Sequence, residues 1–142
     1  MQVSLSKQEK QSIGVAASED EIKAALCSLK AFKTQGPDGL HVHFFHRFWL
    51  IVDGMMVNVM KKEFIERKIP EYLNKTHIAL IPKIQGPKTL ANYRPISLCN
   101  TMYKIITKII LARLRPYLDK LISPLQTAFV LGRKRVDNAI IV

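Results

Sequence analysis

Two cations with different head groups stand beside prolines in the stretch "IPKIQGPKTLANYRPISLCN", residues 81–100. Lys83 directly follows Pro82, Arg94 directly precedes Pro95, and a Gly-Pro turn separates them. A guanidinium grips two phosphate oxygens at once, whereas an ammonium is a compact and mobile point charge. Two such cations on one surface therefore suit a triphosphate. From spacing alone, the commoner explanation is two ordinary exposed side chains, since most Lys and Arg residues are simply solvated.

A second candidate phosphate site is the stretch "LGRKRVDN", residues 131–138. Gly132 is followed by Arg133, Lys134 and Arg135, and a helix is predicted to begin near Arg135. A helix start of this kind offers backbone amides together with three cations to a phosphate group. The alternative is a glycine turn that carries a solvated basic face.

Residues for metal or nucleophile chemistry are sparse in the chain. The histidines of "HVHFFH" have no Cys or carboxylate nearby to complete a metal shell, so we interpret this segment as aromatic core packing. The sequence contains no G-x-S-x-G, H-E-x-x-H or P-loop motif. After Lys83 the only acids are Asp119 and Asp137. Metal-dependent phosphoryl transfer needs several convergent carboxylates, so this half can bind phosphates but cannot hold the metals.

The charge of the chain favours a polyanionic partner. Its formal net charge is +11, and residues 76–142 hold 11 Lys and Arg residues against two Asp residues. Such an excess favours nucleic acid or a nucleotide, while a generally basic, solvated surface is the alternative. Cys27 and Cys99 are too far apart in sequence to indicate a disulfide framework, so a reducing compartment fits. The N-terminus is no secretory signal, and no apolar run approaches the roughly 18 residues of a membrane span.

The elements that must position these residues begin with two short strands. Residues 76–83 and 93–98 are apolar, are bounded by loop residues, and are predicted to be extended and to face each other. If the register puts Ile81 and Lys83 on the same face as Arg94, the two cations share one surface. Pro82 and Pro95 cannot donate to a ladder, so we expect them at strand ends or edges.

Helices account for most of the remaining chain. We expect a helix over residues 18–33, opened by a Ser18–Glu21 capping box, then a "GPDG" turn at residues 36–39. A second helix is expected over residues 41–65 with a possible bend at Asp53–Gly54, and a third over residues 100–119 with a kink at Pro116. Residues 1–17 look like a loose lead-in. The predicted fold class is therefore α+β, mostly helical, with a small two-stranded antiparallel sheet.

Several of these segments together resemble a known family. "GPDGL", "LIPK", "NYRPISLCNTMYKIITKIILARL", "ISPLQTAFVLGR" and "DN" occur in the order and spacing of plant LINE-type (non-LTR retrotransposon) reverse transcriptases. The resemblance covers residues 20–142. It implies the fingers region of a polymerase right hand and the start of its palm, so that residues 18–142 would form a partial reverse transcriptase domain that ends before the catalytic aspartates.

The resemblance also implies roles for individual residues. Lys83 and Arg94 match the family's lysine and arginine that contact the triphosphate of the incoming nucleotide. The template-contacting and finger-core positions of the family map onto Gln126, Phe129, Gly132 and Arg133. A further hypothesis concerns a basic stripe that consists of Lys104, Lys108 and Arg115. On a helical wheel these three residues lie within about 40° of each other. We expect the stripe to face the template–primer backbone.

The departures from the family concern catalysis. Its metal-binding aspartates, including the pair of the Y/F-x-D-D motif, are not in this chain, so no catalytic or metal-binding residue is assigned and Mg²⁺ is expected only in the complete enzyme. The sequence also has Gln35 where a small residue or proline is common, and "GRKRVDN" is unusually basic. Both features are typical of a truncated or decayed copy of an element.

The sequence thus predicts a fragment of an RNA-directed DNA polymerase that is inactive alone. Its expected partners are an RNA template, a DNA primer, a deoxynucleoside triphosphate and the remainder of the polymerase, with no membrane. The family's biology implies the nucleus or the cytoplasm. Two alternatives are a non-catalytic, basic nucleic-acid-binding remnant and a non-functional relic of an element.

Overall fold

The computed structural model describes residues 4–123 together with residues 126 and 132. Its helices and its one two-stranded antiparallel sheet confirm the α+β, mostly helical fold class within those residues. The elements, in chain order, are α1 (Lys7–Ile13), α2 (Glu19–Cys27), α3 (Val42–Arg47), α4 (Trp49–Glu66), α5 (Glu71–Asn74), β1 (Thr76–Pro82), β2 (Tyr93–Cys99), α6 (Thr101–Leu114) and α7 (Leu118–Leu121). Short 3₁₀ turns occupy Leu90–Asn92 and Arg115–Tyr117.

The chain divides into two compact units. The larger unit is Ala16–Ile109, and the smaller one combines the residues up to Val15 with those from Ile110 onward. The larger unit has the main apolar core, which draws on α2, α3, α4, α5 and α6. Its buried side chains include Ile22, Leu26, Val42, Phe45, Met56, Met60, Leu73, Ile105, Ile106 and Ile109.

Helix α2 begins as predicted and ends early. Ser18 accepts from the Glu21 backbone N–H at 3.1 Å, and the Glu21 carboxylate accepts from the Ser18 N–H at 2.9 Å, which confirms the capping box. The helix ends at Cys27, not near Lys33. Its end is stabilised by a distant residue, because His46 Nε2–H donates to the Leu26 carbonyl at 3.0 Å. The same carbonyl also accepts from the Leu29 N–H at 3.0 Å.

The aromatic segment predicted as one helix over residues 41–65 is two helices. The break falls at Phe48, which ends α3 and precedes α4, whereas Asp53 and Gly54 lie inside the uninterrupted α4. Phe44 packs against both neighbouring aromatic rings, at centroid distances of 5.4 Å to Phe45 and 5.1 Å to Phe48. Phe45 is buried, whereas the rings of Phe44 and Phe48 remain exposed.

The smaller unit corrects the prediction of a loose lead-in. Residues 7–13 form helix α1, which has its own capping box between Ser6 and Glu9. The Glu9 carboxylate also accepts from the Lys120 ammonium at 3.2 Å, and the Arg113 guanidinium donates to the Ile13 carbonyl at 2.9 Å. These long-range bonds hold α1 against the last turn of α6 and the chain that follows it.

Within residues 4–123, none of the helices has the length and apolarity needed to cross a membrane.

Candidate nucleotide and nucleic-acid site

The two predicted strands pair in the register that the site requires. In the antiparallel ladder of β1 and β2, Ile81 lies directly opposite Arg94. The Lys83 N–H donates to the Asn92 carbonyl at 2.7 Å, so the pairing continues one residue beyond β1. Directly opposite residues share a face, and so do residues two apart along a strand. Lys83 and Arg94 therefore lie on one face as diagonal neighbours.

Both cations of this pair are exposed to solvent. The Lys83 ammonium donates to the Ala91 carbonyl at 2.9 Å, which uses one of its three donors. The Arg94 guanidinium has no hydrogen-bond partner among the described residues, so its five donors are available. The pair has no competing acid close in sequence, because residues 76–118 contain no Asp or Glu. The face is thus positively charged and open to an anion.

Pro82 and Pro95 occupy positions in β1 and β2 at which no backbone hydrogen bond between the strands is lost. Hydrogen-bonded and non-hydrogen-bonded pairs alternate in an antiparallel ladder. Because Lys83–Asn92 is hydrogen-bonded, the pairs Pro82–Tyr93 and Leu80–Pro95 are non-hydrogen-bonded. The backbone nitrogens of both prolines consequently point away from the partner strand, toward the outer edges, as the sequence predicted.

Asn100 ties the end of β2 to the "GPDG" turn. This buried residue, only 4% exposed, lies between β2 and α6. Its Oδ1 accepts from the Asp38 N–H at 3.1 Å, and its Nδ2 donates to the Tyr72 carbonyl at 2.9 Å. The following Thr101 hydroxyl donates to the Leu40 carbonyl at 3.2 Å. The junction that ends the Arg94 strand is thereby fixed to the turn and to α5.

The first glycine of "GPDG" is required by close packing at the same junction. A Cβ built on Gly36 would lie 2.5 Å from the Asn100 backbone nitrogen and 2.5 Å from the Cys99 carbonyl carbon. The last glycine, Gly39, has φ +68° and donates from its N–H to the Gly36 carbonyl at 3.1 Å. The predicted turn is therefore confirmed, and its first glycine allows the backbone to approach β2.

The predicted basic stripe does not form a single helical face. Lys104 and Lys108 belong to α6, but α6 ends at Leu114 and Arg115 lies in the 3₁₀ turn that contains Pro116. Proline removes a helical hydrogen bond, so the wheel cannot be extended to Arg115. The Lys104 ammonium donates to the Thr34 carbonyl at 3.1 Å, while Lys108 and Arg115 are exposed.

The second candidate phosphate site falls largely outside the described residues. Gln126 is exposed and donates from its N–H to the Ser123 carbonyl at 3.0 Å. Gly132 has φ +86°, a left-handed conformation that favours glycine, which fits the predicted turn. Phe129 and Arg133 lie outside the described residues, as does the helix predicted to begin near Arg135.

The histidines of "HVHFFH" connect that segment to α2 and to the loop after α2. His41 Nδ1–H donates to the Lys33 carbonyl at 3.1 Å, and the His43 ring stacks on Phe32 at a centroid distance of 4.8 Å. In the part of the chain that the structure describes, no three His, Cys, Asp or Glu side chains come together as a metal site. The described residues therefore do not fit the Mg²⁺ that the family resemblance implies for the complete enzyme.

Two structural features have no clear signal in the sequence. One is the Asn100 junction, for which the only local signal is a polar residue between a strand and a helix. The other is a concave aromatic site of about 320 Å³ next to the "GPDG" turn, where Phe32 meets α3. Neither could be found from periodicity, because the partners of Asn100 lie far along the chain and the aromatic site joins a loop residue, Phe32, to helix α3.

Comparisons with known proteins point to transposable elements. The sequence is 31% identical over 138 residues, 97% of the chain, to the "Transposon TX1 uncharacterized 149 kDa protein" of Xenopus laevis. It is 26% identical over 121 residues, 83% of the chain, to the "Retrovirus-related Pol polyprotein from type-1 retrotransposable element R1" of Bradysia coprophila.

The chain covers only 11% and 12% of the lengths of these two relatives. No protein-family model matches the sequence. Because the similarity to both proteins extends over most of the chain, it supports an origin in a non-LTR retrotransposon.

Proposed function

We propose that the chain is the fingers part of a LINE-type reverse transcriptase of the plant group and binds the triphosphate of an incoming deoxynucleotide. The observation that supports this most directly is the register, which gives Lys83 and Arg94 one open face free of acids. A bidentate guanidinium beside an ammonium matches the oxygens of a polyphosphate. The similarity to retrotransposon proteins supports nucleic acid as the second ligand.

The complete enzyme would act on an RNA template and a DNA primer, in the nucleus or the cytoplasm. Phosphoryl transfer there would need Mg²⁺, for which this chain supplies no carboxylate cluster among its described residues. We therefore propose that the chain binds the nucleotide and incorporates none by itself. Incorporation by the purified chain, given Mg²⁺ and a template–primer, would contradict the second half of this proposal.

The nucleotide proposal is tested by titration with a fluorescent deoxyadenosine triphosphate. Lys83→Ala and Arg94→Ala should each weaken binding about tenfold or more, the size of a lost charged hydrogen bond. Arg94→Lys should fall between wild type and Arg94→Ala, because it keeps the charge and loses the bidentate fork. The control is Lys88→Ala, an exposed lysine in the same β1–β2 connection. If all four variants bind like the wild type, the hairpin face is not the nucleotide site.

A non-catalytic nucleic-acid binder is the second candidate. The basic excess of residues 76–142 favours it, since phosphate contacts alone give affinity without sequence preference. A relic without function would bind neither the nucleotide nor single-stranded nucleic acid in these measurements.

A further inference from the structure

A concave aromatic site lies within the larger unit. Its residues are distant in sequence from Lys83 and Arg94. It is formed by the loop after α2, the end of the "GPDG" turn and α3. Its volume of about 320 Å³ is at the small end of the range for ligand sites. The side chains that line it are Phe32, Leu40, His41, His43, Phe44 and Phe48, and Gly39 completes the lining.

The rings of this site are arranged for stacking on a further planar group. Phe32 and His43 are nearly parallel, at 25° and a centroid distance of 4.8 Å. Phe32 nevertheless remains 80% exposed, so the ring face turned away from His43 is available. The nitrogens of the His43 ring have no hydrogen-bond partner among the described residues, which leaves them for the polar edge of a ligand.

The site is held in place by hydrogen bonds around its loop. The His43 N–H donates to the Ala31 carbonyl at 3.0 Å, and His41 Nδ1–H donates to the Lys33 carbonyl. The Lys104 ammonium donates to the Thr34 carbonyl, two residues after Phe32. These bonds fix the segment on both sides of the exposed ring, so little ordering remains when a ligand stacks on it.

The charge around the site favours a ligand that carries phosphate. Residues 30–48 contain three exposed cations, Lys30, Lys33 and Arg47, and a single acid, Asp38. The Asp38 carboxylate accepts from the Leu40 N–H at 3.1 Å within the turn. Lys104 adds a fourth cation through its bond to the same loop. An aromatic surface flanked by cations is the combination that binds unpaired bases while following their backbone.

We propose that this site takes an unpaired base of a single-stranded nucleic acid, which stacks on Phe32 while the surrounding cations hold the phosphates. The inference rests on the proposed function only in its choice of nucleic acid as the partner. It assigns a base-binding site to a segment that the nucleotide face does not use. The alternative occupant of the site is a partner protein that covers the same apolar rings. Such a partner would not need a base for binding, so the experiment distinguishes it from a single-stranded nucleic acid.

The test compares two single-stranded probes of about ten nucleotides, within the usual site size of such proteins. One is oligothymidylate, and the other has the same sugar–phosphate backbone without bases. The whole chain should bind oligothymidylate more tightly. Phe32→Leu should weaken oligothymidylate binding about 5- to 150-fold, the range for a lost base–aromatic stack, and leave the abasic probe unaffected. Phe32→Tyr should retain wild-type affinity because it keeps the ring.

The control variant is Leu50→Ala in α4, since Leu50 is 90% exposed and does not line the site. Equal affinity of the wild type for both probes would overturn the base site and leave phosphate binding intact. A preference for oligothymidylate that survives in Phe32→Leu would overturn it as well, because the base would then be bound elsewhere. If the chain binds neither probe, the proposed base site and the nucleic-acid part of the proposed function are both wrong.

Discussion

Gly36 shows how one residue without a side chain sets the relation of a turn to a strand. Its backbone approaches the Cys99–Asn100 peptide so closely that a methyl group has no room. Asn100 then bonds Asp38 in the same turn. The "GPDG" motif is therefore more than a reversal of the chain, because it fixes the junction at which the Arg94 strand passes into α6.

We expect Gly36→Ala to lower the free energy of unfolding by about 1–3 kcal/mol, the usual cost of overpacking. The measurement is urea unfolding followed by circular dichroism. Gly54→Ala is the matched control, because Gly54 lies inside α4 with nothing within 4 Å of an added Cβ. That change should stabilise the chain by about 0.5–1 kcal/mol through helix propensity. A neutral Gly36→Ala would mean that the close approach to Asn100 is easily relaxed.

Lys83 and Arg94 illustrate what could be foreseen from the sequence for single residues. Lys83 and Arg94 stood out by residue type, and strand alternation then specified the register that would bring them to one face. The role of Asn100 could not be foreseen, because its partners Asp38 and Tyr72 lie 62 and 28 residues away. Local sequence patterns do not indicate such long-range hydrogen bonds.

Among the elements, β1 and β2 match their predictions within one residue, since alternation and flanking turn residues define short strands well. The helices match less well at their ends. At the early end of α2, the Leu26 carbonyl accepts from His46, which is 20 residues further along the chain. The break at Phe48 falls inside one continuous run of apolar and aromatic residues, where periodicity gives no stop signal. The types of the longer elements were thus predictable from periodicity, whereas helix α1 and the ends of the helices were not.

Helix α1 provides a prediction about pH. The Ser6 backbone N–H, followed by the Lys120 ammonium, lowers the pKa of Glu9 below its ordinary value of 4.5. A carboxylate whose pKa is lowered in the folded state stabilises that state above its unfolded pKa. This contribution should be complete near neutral pH and lost as the pH falls through the lowered folded value.

We therefore expect Glu9→Gln to melt at a lower temperature than wild type near pH 7, and the difference to disappear as the pH falls through the lowered folded pKa of Glu9. The measurement is the thermal midpoint at a series of pH values. The control is Glu19→Gln, which removes an acid from the first turn of a different helix, α2. A difference between Glu9→Gln and wild type that persists at low pH would show that the carboxylate charge is not the cause.

For the whole molecule, the distribution of charge matters more than its sum. The +11 net charge arises mostly after residue 75, where acids are almost absent. A protein that binds nucleic acid through phosphates releases counterions, so its affinity falls with salt at a slope set by the number of contacts. The slope therefore reports whether a given group of cations takes part.

We expect the triple change of Lys104, Lys108 and Arg115 to Ala to flatten the slope of log K against log salt by about two for a single strand. The control changes Lys7, Lys10 and Lys23, which are exposed, to Ala. The two triple variants then have the same net charge. The measurement is fluorescence anisotropy at several salt concentrations. If both triples change the slope equally, net charge governs binding and Lys104, Lys108 and Arg115 have no special part.

The outward-facing nitrogens of Pro82 and Pro95 have a consequence for assembly. A hairpin whose two edges are both open is a template on which strands of other molecules can grow into fibrils. At each edge a proline removes one of the donors that an incoming strand would need, while every bond inside the hairpin is kept. The side chains on the faces of the sheet can therefore stay exposed for ligands, with both edges protected against cross-β growth.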